Sequence, residues 1–225
     1  MYKVIPVNYY TDQRAIISPD GETVAIVVGI DSANRLATKL NGYPLDISNL
    51  EQALHHARIN KIKLKLIPIN SSHYDIIKKV FSDKSLQKYD DWNVNTIDID
   101  DEFKVMNTKH DWNTPYSTNH YIVEVNGNQV GFVCALVSPY SQAELGYYIL
   151  KKYSNNGFAS SALASLISIA KKNNIHRVTC TIDPVHTASI KIAQYNGMIQ
   201  CAHLHHSAKI RGKWVNEIVM EKILR

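Results

Sequence analysis

The chain has 225 residues, 45% of them hydrophobic, and a formal charge of +5. That length accommodates one domain of ordinary size and a small additional one. No apolar run reaches the roughly 18 residues that a membrane helix requires, and no dense Lys/Arg tract appears, so neither a membrane nor a nucleic acid is expected as a partner.

The opening stretch, MYKVIPVNYY, lacks the apolar core and small-residue cleavage site of a signal peptide. Cys134, Cys180 and Cys201 are far apart, and the first two sit in apolar runs. They read as reduced thiols of a cytoplasmic protein, with a catalytic cysteine as the sharper and less favoured alternative.

Residues 1–42 read as a small ββα unit. Lys3 to Tyr10 and Ala15 to Ser18 are strand-like, Ser18-Pro19-Asp20-Gly21 is a turn signal, and Thr23 to Ile30 is a strong strand. Asp31 or Ser32 then caps a helix from Ala33 to Leu40. The result is a β-hairpin with a helix packed on it, a unit that buries little surface and is marginal alone. It suits a docking role, including a homodimer contact. Residues 43–62 form a helical connector. His55 and His56 point about 100° apart on that helix and do not suit a metal.

Residues 63–225 carry a longer pattern. Lys63 to Ile69 is a strand, and Asn70 or Ser71 caps a helix from Ser72 to Phe81. Asp98 to Lys109 is a second helix, and residues 110–119 are a polar loop. Tyr121 to Val125 and Val130 to Val137 are strands joined at Asn126-Gly127. Glu144 to Leu150 is the central strand, with Tyr147, Tyr148, Ile149 and Leu150 as its β-favouring core. Ser154, Asn155 and Asn156 form a turn, and Gly157 permits backbone angles closed to other residues. A helix starts near Phe158 or Ala159, with Leu163, Leu166, Ile167 and Ala170 on one face. His176 to Ile182 is a strand, Thr187 to Tyr195 a helix, and Met198 to His206 and Trp214 to Leu224 the closing strands.

The turn at 154–159 is where chemistry is expected. Amides at a helix start lack helical partners, and the helix dipole favours an anion beside them, so this turn reads as a diphosphate cradle. It is neither of two common phosphate loops. No Gly-x-Gly-x-x-Gly is present, and no Lys-Ser or Lys-Thr follows the glycine. What remains is Ser-x-x-Gly-x-Ala, Ser154 to Ala159. It resembles the Gln/Arg-x-x-Gly-x-Gly/Ala acetyl-CoA signature of the GNAT superfamily of N-acetyltransferases, with Ser154 at the lead position. ELGYYI, HRVTCTIDPVHTASIKIAQYNGM and KIRGKWVNEIVMEKIL are similar to the central strand, later strand and helix, and last hairpin of its RimJ/RimL-type branch.

The resemblance implies an α/β fold, with a mixed, centrally splayed β-sheet flanked by helices, preceded by the small hairpin-plus-helix unit. It implies acetyl-CoA as co-substrate and no metal. The acceptor is a primary amine, of a protein N-terminus or a small molecule. Transfer is direct, in a ternary complex. Main-chain groups of Ile149 and Leu150 would pair with the pantetheine arm. Amides of Asn155, Asn156, Gly157, Phe158, Ala159 and Ser160 would hold the diphosphate. Ser189 would meet the departing sulfur, and His186 stands where the family has an asparagine on the pantetheine arm. Glu144 would take the amine proton through water, with Asp183 a weaker candidate. Trp92, Trp112 and Tyr116 would shape the acceptor pocket. His203, His205 and His206 lack zinc-ligand company and read as strand histidines. The competing function is a GNAT-fold module that binds acyl-CoA without turnover.

Overall fold

The computed structural model describes residues 3–8, 13–17, 23–28, 62–89, 98–108 and 110–224. Chain contacts divide the protein into two compact units, Met1–Arg58 and Ile59–Arg225.

In the first unit, β1 (Lys3–Asn8), β2 (Gln13–Ile17) and β3 (Thr23–Val28) form a three-stranded antiparallel sheet in chain order. Val4 pairs with Ile16 and Ala15 with Ile26. The expected two-stranded hairpin is therefore a meander. The run ahead of the turn folds back on itself, which pairs both edges of the apolar middle strand. The expected helix at 33–40 and the connector helix lie outside the described residues.

The second unit is a seven-stranded sheet in the order β4-β5-β6-β7-β8-β10-β9. Its strands are β4 (Leu64–Pro68), β5 (Thr118–Val125), β6 (Asn128–Ser138), β7 (Gln142–Ile149), β8 (Arg177–Ile182), β9 (Ile199–Ile210) and β10 (Lys213–Ile223). Every neighbouring pair is antiparallel except β7 and β8, which run parallel. The last hairpin is longer than its apolar signal suggested. Residues 207–210 continue β9 because β10 pairs with them, as Lys213 with Ile210 shows.

One face of the sheet carries α1 (Tyr74–Phe81) and α2 (Ile99–Met106). Asn70 starts the first of these through a reciprocal cap. Its side chain accepts from Ser72 N at 3.0 Å, and its own amide donates to His73 Nδ1 at 3.0 Å. A short 3-10 turn, Ser71–His73, then enters the helix. Ile76, Ile77, Val80 and Phe81 are buried against Ile122 and Phe132. Asp98 caps α2 by accepting from the amides of Asp100 and Asp101.

The other face carries α3 (Phe158–Lys172) and α4 (Thr187–Tyr195). Leu163, Leu166, Ile167 and Ala170 are buried there, as their helical spacing requires, against Val133, Leu145 and Val178. Trp112 belongs to this same core and donates its indole N–H to Tyr121 Oη at 3.1 Å.

His120, on β5, has a buried Nδ1 without a hydrogen-bond partner. Burial, with the His110 ring adding to it, lowers its pKa from 6.5 to about 4. The folded protein keeps this imidazole neutral, while the unfolded chain takes up a proton as pH falls below 6.5. The unfolded state binds more protons in that window, so stability rises with pH from about 4 to 6.5 and is fully present above it. The contribution is at most about 3 kcal/mol, at roughly 1.4 kcal/mol per unit. Urea unfolding is expected to show a falling midpoint from pH 7 to pH 4.5, with a shallower fall in His120→Gln.

Candidate active site

The site begins where two strands part. β7 and β8 pair only from Gln142–Arg177 to Glu144–Thr179. Beyond that point β7 stays on β6, with Gly131 opposite Ile149, and β8 stays on β10, with Ile182 opposite Ile218. A cavity of about 390 Å³ lies in the gap. Leu145 to Ile149 form one wall and Cys180 to Asp183 the other. His186 to Ser189, at the start of α4, line one side. Lys151, Ser154 and Asn155 line the end beyond β7.

That end is built from backbone. Lys151–Tyr153 is a 3-10 turn, Asn155 has φ 63°, and Gly157 has φ 77° at the N-cap of α3. Asparagine tolerates the left-handed region, and glycine occupies it without strain. Asn156 Nδ2 donates to Tyr153 O at 3.2 Å and Ser154 O at 3.0 Å, which braces the turn from within. The first helical bond of α3 runs from Ser161 N to Gly157 O at 3.0 Å. The Phe158 and Ala159 amides precede that ladder, and no acidic residue lies in the first turn to offset the dipole.

A strap from Asp83 to Tyr89 crosses the cavity. Asp83 Oδ2 accepts from Lys151 N at 2.9 Å, at the end of β7. Burial raises the Asp83 carboxyl, but amide bonds from Lys151 and Ser85 outweigh it and hold the group below its ordinary value. Arg211, in the β9–β10 turn, donates to Gln87 O at 3.1 Å. Tyr89 lies flat on His186, with ring centroids 3.8 Å apart and planes 3° apart. Burial lowers the His186 pKa, Asp183 works against it, and Lys88 adds to it. The imidazole is therefore neutral at neutral pH.

The polar centre of the gap is Tyr147 with Ser189. Tyr147 Oη lies 2.6 Å from Ser189 Oγ and 3.1 Å from Ser189 O. Both side chains line the cavity, and burial pushes the Tyr147 pKa up. Cys180 also lines it, but its thiol is raised by burial, then by the nearby Glu144. A thiol so protonated is a poor nucleophile at neutral pH, which disfavours Cys180 as a catalytic cysteine.

The expected residues divide into groups. Ile149, Asn155, His186 and Ser189 line one cavity. Asn156, Gly157, Phe158 and Ala159 follow in the adjoining turn. The Ser160 side chain is buried and accepts from Asn196 Nδ2 at 2.9 Å. Glu144 is exposed at the closed end, the last residue of β7 paired to β8. Leu150 departs from expectation. Its amide donates to Val130 O and its carbonyl accepts from Tyr153 N, so neither group faces the gap. Trp112 is a core residue, 6% exposed, because its indole nitrogen found a partner inside. Tyr116 is 76% exposed and does not line the cavity. Trp92 lies outside the described residues. Tyr89, Tyr147 and Glu217 line the cavity without having been singled out. Alternation along β10 places Glu217 on a face, but only the sheet order puts that face at this gap. Among the described residues no group of His, Cys, Asp and Glu could hold a metal ion.

A parallel pair that splits beside a glycine-started helix is the arrangement the family resemblance implied. The sequence profile described as the acetyltransferase (GNAT) domain matches residues 63–199, more than half of the chain. This chain belongs to the GNAT acetyltransferase family. Solved structures of similar fold include RimL, a ribosomal alpha-N-protein acetyltransferase in complex with coenzyme A. The two are 17% identical, with TM-score 0.63, over 72% of this chain and 94% of that one. The ribosomal-protein-alanine N-acetyltransferase of Brucella melitensis is 19% identical, with TM-score 0.61, over 71% and 99%. The spermidine N-acetyltransferase of Vibrio cholerae, in complex with coenzyme A and spermine, is 16% identical, with TM-score 0.63, over 72% and 96%. No curated protein matches the sequence. In this GNAT chain the residues present fit a coenzyme A thioester. The gap offers an unpaired strand edge, and the start of α3 offers backbone amides with no acidic residue in its first turn.

The stack on His186 has a measurable signature. Tyr89→Ala is expected to admit water to the imidazole and move its pKa up toward 6.5. Titration of the His186 ring protons by NMR checks this; an unchanged midpoint would contradict the stacked geometry.

Proposed function

We propose that this chain transfers an acetyl group from acetyl-CoA to a primary amine, directly and within a ternary complex. The observation that carries the reading is the parting of β7 from β8 after Glu144, with one cavity running from the Tyr147–Ser189 pair to Asn155. Acetyl-CoA supplies the activated acyl group. The edge of β7 around Ile149 offers main-chain groups to its amide-bearing arm. Amides between Asn155 and Ala159 take the diphosphate, and the Lys151 ammonium adds a positive charge nearby. Ser189 places a hydroxyl where a departing thiolate needs a hydrogen-bond donor. Glu144 stands outside the closed end in contact with solvent, suited to taking the amine proton through water. Glu217, inside the cavity, is a second carboxylate that could attract a cationic acceptor. The acceptor is a protein N-terminal amine or a small-molecule amine such as a polyamine. Residues 1–62, which precede the family match, serve interaction rather than catalysis.

One observation favours a second reading, an acyl-CoA-binding module without turnover. The His186 ring is covered by Tyr89, so the side chain at that position is already engaged. A single assay separates the two. Thiol release from acetyl-CoA is measured with an alanine-initiated peptide and with spermidine, beside calorimetric titration of coenzyme A. The enzyme gives both binding and release, and the module gives binding alone.

Gly157→Val is expected to weaken coenzyme A binding about tenfold or more, because a β-branched residue is strained at φ 77° and reshapes the turn. Wild-type protein that binds no coenzyme A, or a folded Gly157→Val variant with unchanged affinity, would sink the proposal.

A further inference from the structure

Tyr147 reaches from β7 across the gap to α4. Its hydroxyl oxygen lies 3.1 Å from the Ser189 carbonyl and 2.6 Å from Ser189 Oγ. A carbonyl oxygen only accepts and either hydroxyl can donate in the shorter contact, so in one state the phenol proton occupies the carbonyl bond and the serine hydroxyl donates to the phenol oxygen. In this state the serine proton is turned toward Tyr147. A small rotation of the phenol proton onto Ser189 Oγ gives the other state. Ser189 then accepts from Tyr147, and its own proton is released to point elsewhere. The cavity is the space both side chains share.

The surroundings hold the two side chains in place. Ser189 is 7% exposed. Its amide is fixed on His186 O at 3.0 Å, which leaves the side-chain rotation as its main freedom. Burial, then the nearby Cys180, raises the Tyr147 pKa against the lowering effect of the Ser189 bond, so the phenol keeps its proton at neutral pH. The ring also packs against the core below α3.

We propose that Tyr147 is a positioning residue for Ser189: by shifting its hydrogen bond from the Ser189 carbonyl to Ser189 Oγ, it turns the serine hydroxyl toward the departing thiolate. The inference rests on the acetyl-CoA reading given above. As the amine nitrogen bonds to the acetyl carbon, the carbon–sulfur bond breaks and its electron pair stays on sulfur. The sulfur accepts the Ser189 hydrogen bond. Neither hydroxyl gives up its proton, and the proton shed by the amine leaves through water toward Glu144. The two hydroxyls thus stabilise a charge without becoming charged, which suits a buried wall.

The test uses the full chain with coenzyme A itself, so that no acceptor is needed. Ionisation of the bound thiol is followed by its ultraviolet thiolate absorbance, as a difference spectrum against the protein alone. Wild type is expected to hold the thiol at a lower pKa than Tyr147→Phe or Ser189→Ala, by about one unit, since a hydroxyl donor favours the thiolate. The double variant is expected to match either single variant, because the two side chains act as a unit. Tyr147→Phe keeps the ring in the core, and retained coenzyme A affinity with an unchanged melting curve shows that it is folded. Where an acceptor turns over, Tyr147→Phe lowers kcat about tenfold with KM for acetyl-CoA nearly constant. Equal thiol pKa values across the series would overturn the role of Tyr147 while leaving coenzyme A binding in place. Additive effects of the two substitutions would overturn it as well. Absence of coenzyme A binding to wild type would instead remove the reading on which it stands.

Discussion

The structure depends on a parallel ladder that stops early. β7 and β8 share residue pairs only from Gln142–Arg177 to Glu144–Thr179, and each then follows its antiparallel partner on the other side. Antiparallel pairing is somewhat stronger per residue, and both strands are pinned along their far edges by longer ladders. Sheet twist does the rest, since two strands carried by differently oriented neighbours separate where nothing joins them. The closed end is held in turn by Arg177, which donates to Glu221 at 2.7 Å and to Gln142 at 2.8 Å, across three strands. Without this parting there would be no unpaired edge and no cavity, only a continuous sheet.

Around the gap several polar groups are satisfied within the protein. Asp83 takes the Lys151 amide, and Leu150 spends both backbone groups on Val130 and Tyr153. Those bonds fix the far end of β7 and the strap that crosses it. In the proposed function main-chain groups carry the binding role, and side chains the finer chemistry. On that proposal Ser154, where the family pattern has a longer polar residue, leaves the backbone amides in place, since they do not depend on that side chain.

The electrostatics of the walls are those of a site that moves protons sparingly. Burial keeps His186 neutral, Cys180 a thiol and Tyr147 a phenol at neutral pH. Carboxylates accompany them: Glu144 at the exposed closed end, and Asp183 and Glu217 in the lining. Neutral donors beside carboxylates match a reaction that removes a proton from an amine while charge develops on sulfur.

Much of this was legible in the sequence because it is local. The cap at Asn70, the turn at Asn126-Gly127, the helix at Thr187–Tyr195 and the buried face of α3 follow from backbone preferences and periodicity within a few residues. The motif at 154–159 pointed to a backbone anion site for the same reason. The tertiary structure alone decided which side chains meet. Trp112 became core because its indole nitrogen found Tyr121 on β5, and Leu150 bonded inward because its amide found Val130 on another strand. Tyr147 and Ser189 are separated by 42 residues, and Tyr89 reaches His186 from beyond the first helix. Local propensity fixes where elements begin and which face they bury. Contacts across a parted sheet depend on strand order and twist, and no short window of sequence encodes either.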